Sequence, residues 1–293
     1  MADMAMTQSV NPKKGVAAAK AKKFLSLFLR YLVLVIACLI VIVPIVYVLF
    51  GSFKTDKELV KTSAFALPNS FSFSSYAEAL SKGNVLVGFK NTAILIVICC
   101  FGTIITGTMT AFVLNRFKTV LSKVVKAAFL FAVLLPNISM QVTVYQIMNG
   151  FNLVGTYWAP ILLWVGTDII SIQIFVQFLG QIPVSLDESG IVDGASYPRI
   201  YWSIILPNLK PAIATVLTIK FVSIYNDFYT PKLYLGSDQP VVSTVLLNIM
   251  NQTTVSYSVV FAGVILCILP TLIIFLTLQK FIYAGLVSGA VKG

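Results

Sequence analysis

The sequence predicts an all-α, polytopic membrane protein, and three observations lead there. Of 293 residues, 58% are apolar and only 11% are charged, against roughly 45–50% and 25% in a soluble domain. The mean hydropathy is +0.92. The apolar residues also fall in six continuous runs without strict alternation, which excludes an outer-membrane barrel and is too much for the buried helices of a soluble protein. The chain has no His, so it has neither a His-based catalytic site nor a His metal site. Its spans hold no paired carboxylates, so no catalytic residue and no metal ligand is predicted. Four cysteines cannot build a disulfide-rich secreted fold.

The elements follow in order. Residues 1–25 are rich in Met, Ala and Lys, lack apolar periodicity, and read as a disordered basic tail that can touch anionic lipid. Residues 26–293 then form one domain with no internal repeat. A bilayer core of about 30 Å takes about 20 helical residues, and six runs meet that need: 31–50, 92–114, 127–144 (interrupted by Pro136 and Asn137), 157–179 (containing Asp168), 212–228 (containing Lys220) and 259–279 (containing Pro270). Residues 20–50 superficially resemble a signal peptide. Their apolar run is about twice a usual h-region and lacks an A-x-A site, so an uncleaved first span is expected. Cys38, Cys99, Cys100 and Cys267 lie inside spans and read as small packing residues.

Orientation follows from the basic residues of the short loops. Lys13, Lys14, Lys20, Lys22, Lys23, Arg30, Arg116, Lys118, Lys123, Lys126, Arg199, Lys210, Lys280 and Lys292 fall on one side, and Lys54, Lys57, Lys61, Lys82, Lys90 and Lys232 on the other. The first side should be cytoplasmic, with both termini. The net charge of +11 is thus largely a topology signal, and no nucleic-acid partner is implied.

The segment between the fourth and fifth runs, 180–210, is unlike the rest of the chain. Ser185-Leu186-Asp187-Glu188 has the form of an S-x-x-E capping box, and acidic residues suit a helix N-terminus. The helix should end at Asp193-Gly194. A second helix should start near Ser196 and stop at Leu206-Pro207. Ser189, Gly190, Gly194 and Ala195 are all small. Glycine inside a helix costs about 0.5–1 kcal/mol against Ala, so these residues fit either a docking surface for another protein's backbone or an ordinary solvated loop.

Here the residues match a family. Glu188-Ser189-Gly190-Ile191-Val192-Asp193-Gly194-Ala195, followed by Ile204-Ile205-Leu206-Pro207, resembles the E-A-A-x-x-D-G-A and I-x-L-P of the EAA loop of ABC importer permeases, with Ser189 and Gly190 for the two alanines. Leu134-Leu135-Pro136, Asn152-Leu153-Val154-Gly155-Thr156 and Phe71-Ser72-Phe73-Ser74-Ser75-Tyr76 are similar to segments of the carbohydrate branch. Tyr225-Asn226-Asp227-Phe228 resembles its W-N-[DE]-F, with Tyr for Trp. The end, Gly285 to Gly293, is similar to the G-x-x-x-G-A-V-K-G tail of the shorter maltose-type permease.

The resemblance implies a type I ABC importer permease of a bacterial cytoplasmic membrane. It would act with a homologous second permease, two cytoplasmic ATPase subunits and an external sugar-binding protein. The chain has no G-x-x-x-x-G-K-[ST], so it carries no cofactor of its own, and ATP and Mg would bind the partner ATPase. The coupling residues implied are Glu188, Ser189, Gly190, Asp193, Gly194, Ala195, Leu206 and Pro207, with Lys292 in the tail. The outer loop residues Asn251, Gln252, Thr253 and Thr254 would face the binding protein, because sugar hydroxyls both donate and accept hydrogen bonds; a plain polar loop is the alternative.

Asp168 should face protein or water, since a carboxylate at mid-span costs about 2.5–3.5 kcal/mol on insertion scales. It lines a sugar path with Asn137, Gln173 and Gln177, or it pairs with Lys220 or with a group on the partner permease. Two other functional readings stand beside the sugar permease. One is a permease of the same class for a polyamine or peptide. The other is an ion-coupled secondary transporter, for which Asp168 and Lys220 are the candidate pair of intramembrane charges.

Overall fold

The computed structural model describes residues 12–166, 168–251 and 256–290, with no strand among them. The first helix, α1, is continuous over Pro12–Gly51. Residues 12–25 are therefore helical, which corrects the expected disordered tail from Pro12 onward. Proline is accommodated at a first helical position. The alanine-rich stretch 16–21 then extends a helix that the apolar run has already nucleated, at little cost per residue. Two short helices, α2 (Asp56–Lys61) and α3 (Ser74–Lys82), follow.

Helix α4 (Val85–Arg116) is about 48 Å long at 1.5 Å per residue, and the rest of the molecule is arranged along it. Next come α5 (Val120–Leu134), α6 (Asn137–Gly150), α7 (Trp158–Gly166), α8 (Ile169–Leu179) and α9 (Ser185–Val192). Then α10 (Tyr197–Ile200) passes through a wider π turn, Tyr201–Ile205, into α11 (Leu206–Asn208). The chain closes with α12 (Lys210–Asn226), α13 (Tyr229–Tyr234), α14 (Val242–Met250) and α15 (Tyr257–Ala290).

Three buried clusters lie along α4. At its start, Val85 packs with Ala79, Val245, Ile249, Val259 and Ala262. In the middle, Leu95 and Cys99 meet Ile161, Ile224 and Val241. At its end, Ala111 and Phe112 meet Phe175, Leu179, Ile200, Tyr201, Ile205 and Leu209. Close approach uses small residues, as is usual between membrane helices: a Cβ built on Gly107 of α4 would lie 3.0 Å from the Phe175 ring of α8. Polar groups join helices as well. Thr92 Oγ1 accepts from the amide of Val242 at 2.9 Å, and Asn91 Nδ2 donates to the Pro240 carbonyl at 2.8 Å. The apolar side chains of α1, such as Val33 and Ile40, point outward, as lipid-facing residues must.

Four segments are long and apolar enough to cross a membrane: Lys22–Gly51, Val85–Arg116, Trp158–Leu179 and Tyr257–Thr277. Two further pairs are bent, α5 with α6 by 111° and Tyr197–Asn208 with α12 by 72°. Three expected elements are thereby modified, each for a local reason. The third run breaks at Leu135-Pro136, where proline lacks the N–H and forces Leu135 into an extended conformation (ψ 129°). The fourth run is two helices, because Asp168 acts as the N-cap of α8 by accepting from the amide of Ser171 at 3.2 Å. The helix expected to stop at Leu206-Pro207 continues to Asn208 and bends at Leu209, since Pro211, at the start of α12, cannot donate back into the preceding turn.

Gly107→Val should push α4 off Phe175 and destabilise the protein by about 1–3 kcal/mol. The measurement is the thermal midpoint of the purified protein in detergent, which should fall, whereas Gly150→Ala, with nothing within 4 Å of its added Cβ, should leave it unchanged.

Candidate coupling segment

Helix α9 divides its residues by face. Asp187 and Gly190, three apart, are buried. Ser185, Glu188, Ser189 and Val192 have the i, i+3, i+4, i+7 spacing of one helix face, and all four are exposed. Val192 is 86% exposed, and Leu186, Ile191, Tyr197 and Trp202 are also open. The segment thus presents an apolar surface with two exposed carboxylates, Glu188 and Asp193. The expected capping box is not formed. Val184 is the cap residue, already in helical conformation, and the Ser189 hydroxyl bonds back to the Ser185 carbonyl at 2.8 Å. The chain enters α9 from a turn at 182–184, so Ser185 sits inside the helix rather than ahead of it.

The helix stops as expected. The Gly194 amide donates to the Ile191 carbonyl and the Ala195 amide to the Gly190 carbonyl, both at 2.9 Å, which is the double bond of a Schellman ending. Gly194 has φ +79°, a conformation that costs other residues more. The Asp193 carboxylate has no hydrogen bond or ion pair among the described residues. Gly190 departs from the docking role expected of it. It is buried, and a Cβ there would lie 3.1 Å from both Ile200 and Ile204, so its smallness lets α9 lie against the next helix of its own chain. Ala195 and Leu206 pack on the same cluster, and Pro207 is exposed.

Two sets of contacts fix this segment to the end of α4. Arg116 Nε donates to Asp187 Oδ2 at 2.5 Å, with the side chains only 7% and 9% exposed. The other guanidinium nitrogens reach the Ile182 carbonyl at 3.1 Å, Asn115 Oδ1 at 3.1 Å and the Leu179 carbonyl at 3.5 Å. Asp187 Oδ1 is buried without a partner. Beside this clamp an aromatic chain runs from Tyr197 through Phe117, Phe112 and Tyr201 to Trp202, with successive centroids 5.0–6.1 Å apart. The Tyr201 hydroxyl meets Thr108 Oγ1 of α4 at 2.7 Å.

The predicted path residues do not converge. Asp168 pairs with Lys220 at 2.8 Å, both largely buried, and accepts from the hydroxyls of Ser171 (2.7 Å) and Thr103 (3.3 Å). Lys220 also donates to the Trp164 carbonyl. Neither Gln173, half-buried, nor Gln177, exposed, bonds to Asp168. Asn137 opens α6 at the bend, and its side chain is outside the described residues. A cavity of about 580 Å³ lies elsewhere, among α12, α14 and α15, walled by Phe221, Tyr225, Asn226, Phe228 and Ser243. Asp227 of the Tyr225-Asn226-Asp227-Phe228 motif accepts from Trp164 Nε1 at 2.9 Å and from the amide of Thr230 at 3.0 Å, so this carboxylate ties α12 to α7 and α13. Asn251 is exposed at the end of α14. Gln252, Thr253, Thr254 and Lys292 lie outside the described residues.

Residues 101–287, which include the whole coupling segment, match the family described as the binding-protein-dependent transport system inner membrane component. The chain belongs to this family. As an inner membrane component it is a multi-pass membrane protein. It is 30% identical over 274 residues to a probable starch degradation products transport system permease protein of Thermoanaerobacterium thermosulfurigenes, covering 92% of this chain and 97% of that one. It is 28% identical over 284 residues to a galactooligosaccharides transport system permease protein of Bacillus subtilis (strain 168), covering 95% and 100%. Its fold is shared with a chain of a bacterial ABC transporter involved in the import of the acidic polysaccharide alginate, at TM-score 0.75 and 20% identity over 94% of this chain and 99% of that chain.

The sequence missed Arg116, Asp187, Tyr201 and Thr108 as holders of the coupling segment. Only the charge of Arg116 beside a loop hinted at the first. Asp187→Ala leaves the Arg116 guanidinium buried and unpaired and should cost about 3–5 kcal/mol. The double variant Arg116→Met/Asp187→Leu should recover most of that loss, and a double-mutant cycle on thermal unfolding measures the coupling. Gly194→Val should cost about 1 kcal/mol through its positive φ, with Gly194→Asn milder, as read by the same unfolding experiment.

Proposed function

We propose that this inner membrane component is a permease subunit of an ABC importer that carries a sugar or oligosaccharide delivered by an external binding protein. The observation that carries the reading is the outward face of α9 (Ser185, Glu188, Ser189 and Val192) beside open apolar residues, on a segment clamped to the end of α4 by Arg116 and Asp187. A helix held this firmly while its other face stays unsatisfied is suited to receive a push from a partner. The proposed partner is a pair of cytoplasmic ATPase subunits, which hold the ATP and Mg, so the chain itself is a transport subunit and not an enzyme. A homologous second permease completes the membrane part. Closure of the ATPases moves α9 and α4 as one body and shifts the spans between two states.

Sugar is favoured over a polyamine or peptide by the relatives, whose names include transport of starch degradation products, galactooligosaccharides and, in a further Bacillus subtilis relative, melibiose, raffinose and stachyose. The ion-coupled alternative is not favoured, since the buried charges Asp168 and Lys220 are occupied by each other and by neighbouring groups. In this reading both termini are cytoplasmic, Asp193 and Lys292 contact the ATPases, and Asn251 with the residues that follow faces the binding protein. Gln173 and Gln177 remain free to meet a sugar.

The test uses the assembled complex, reconstituted in vesicles with ATPases, second permease and binding protein. Val192→Glu should leave membrane insertion and folding unchanged and lower sugar-stimulated ATP hydrolysis and uptake about tenfold or more, the loss expected of a buried interface anchor. Uptake at the unaltered rate would remove the docking role. Uptake by the chain alone, with no ATPase present, would remove the reading as a whole.

A further inference from the structure

A second cavity, about 520 Å³, opens on the face of the molecule that carries α9. Its walls come from the end of α4, the start of α5 and the turn leading into α9 (residues 180–184). Four basic side chains line it, Arg116, Lys118, Lys123 and Lys126, and no acidic residue does. Arg116 is neutralised by Asp187. The three lysines have no ion pair and no side-chain hydrogen bond among the described residues. The cavity is therefore a pocket with about three uncompensated positive charges, beside the buried hydroxyl of Ser122.

What adjoins the pocket narrows the choice of ligand. Helix α5 leaves it with Val120, Leu121, Val124, Leu130, Phe131 and Leu134 all exposed, so an apolar ramp continues from the charged mouth along the helix. A free anion such as phosphate would use the lysines and leave that ramp bare. A molecule with an anionic head and acyl chains uses both, and basic pockets between membrane helices suit such headgroups. We propose that this pocket binds the phosphate headgroup of an anionic phospholipid, held by Lys118, Lys123 and Lys126, with its acyl chains along α5. Because residues 180–184 form one wall and lead directly into α9, the bound lipid braces the base of the coupling segment.

The test uses the complete complex in nanodiscs of phosphatidylcholine with or without phosphatidylglycerol. A headgroup-photoreactive phosphatidylglycerol should label residues 116–126 or 180–184, as mapped by mass spectrometry, whereas the matching phosphatidylcholine probe should not. Lys118→Gln/Lys123→Gln/Lys126→Gln should weaken labelling about a hundredfold, at about fivefold for each lysine, and the triple Arg variant should retain it. Removing three positive charges also weakens the orientation signal, so each single Gln variant is measured too and should lose about fivefold. The proposal is overturned by equal labelling by both probes, by labelling unchanged in the single and triple Gln variants, or by displacement of the lipid by millimolar inorganic phosphate, which would make the pocket a free-anion site. Labelling that occurs only after the ATPases are stripped away would also overturn it, by assigning the lysines to a protein partner.

Discussion

A guanidinium and a carboxylate 2.5 Å apart, both nearly out of solvent, join the last residue of the central helix to the first turn of the coupling helix. Taking two charges out of water is costly, and the attraction between them repays this only when the remaining donors are also satisfied. Arg116 satisfies its donors, because its other nitrogens find the carbonyls of Ile182 and Leu179 and the amide oxygen of Asn115, whereas Asp187 Oδ1 has no partner among the described residues. Once these bonds are made, α9 cannot shift without moving the end of α4. Since α4 runs through all three buried clusters, α9 is tied through it to the helices that pack in them. The aromatic chain from Phe112 to Trp202 does the same for the following helix.

The breaks in the spans obey a related constraint. Irregular backbone at membrane depth is tolerated only where protein supplies the missing hydrogen bonds. At the break between α7 and α8, one carboxylate caps α8, receives two hydroxyls and pairs with Lys220, which itself satisfies the Trp164 carbonyl of α7. Asp168 is thus the knot that makes a broken span possible. Asp227 holds the end of α12 in the same manner, through Trp164 and Thr230. Both carboxylates are engaged by groups of the chain itself.

Composition, run length and the Gly194 stop were readable without coordinates because each depends only on neighbours in the chain. Gly190 was not. A small residue serves a distant partner or its own chain equally well, and only the 3.1 Å approach of Ile200 and Ile204 decides between them. The capping box failed because the preceding residues 182–184 had already entered the turn, a matter of how the loop returns from α8.

The sequence by itself determined a helical membrane chain with a distinct, glycine-stopped segment between the fourth and fifth runs, because transfer to lipid is summed over some twenty consecutive residues and a glycine turn is local. The sequence offered Lys220 as one possible partner of Asp168, but the tertiary structure made that choice, and it alone joined Arg116 to Asp187. Arg116 with Asp187 and Asp168 with Lys220 are separated by 71 and 52 positions in the chain, and nothing in the spacing of such residues selects a partner until packing brings their helices side by side.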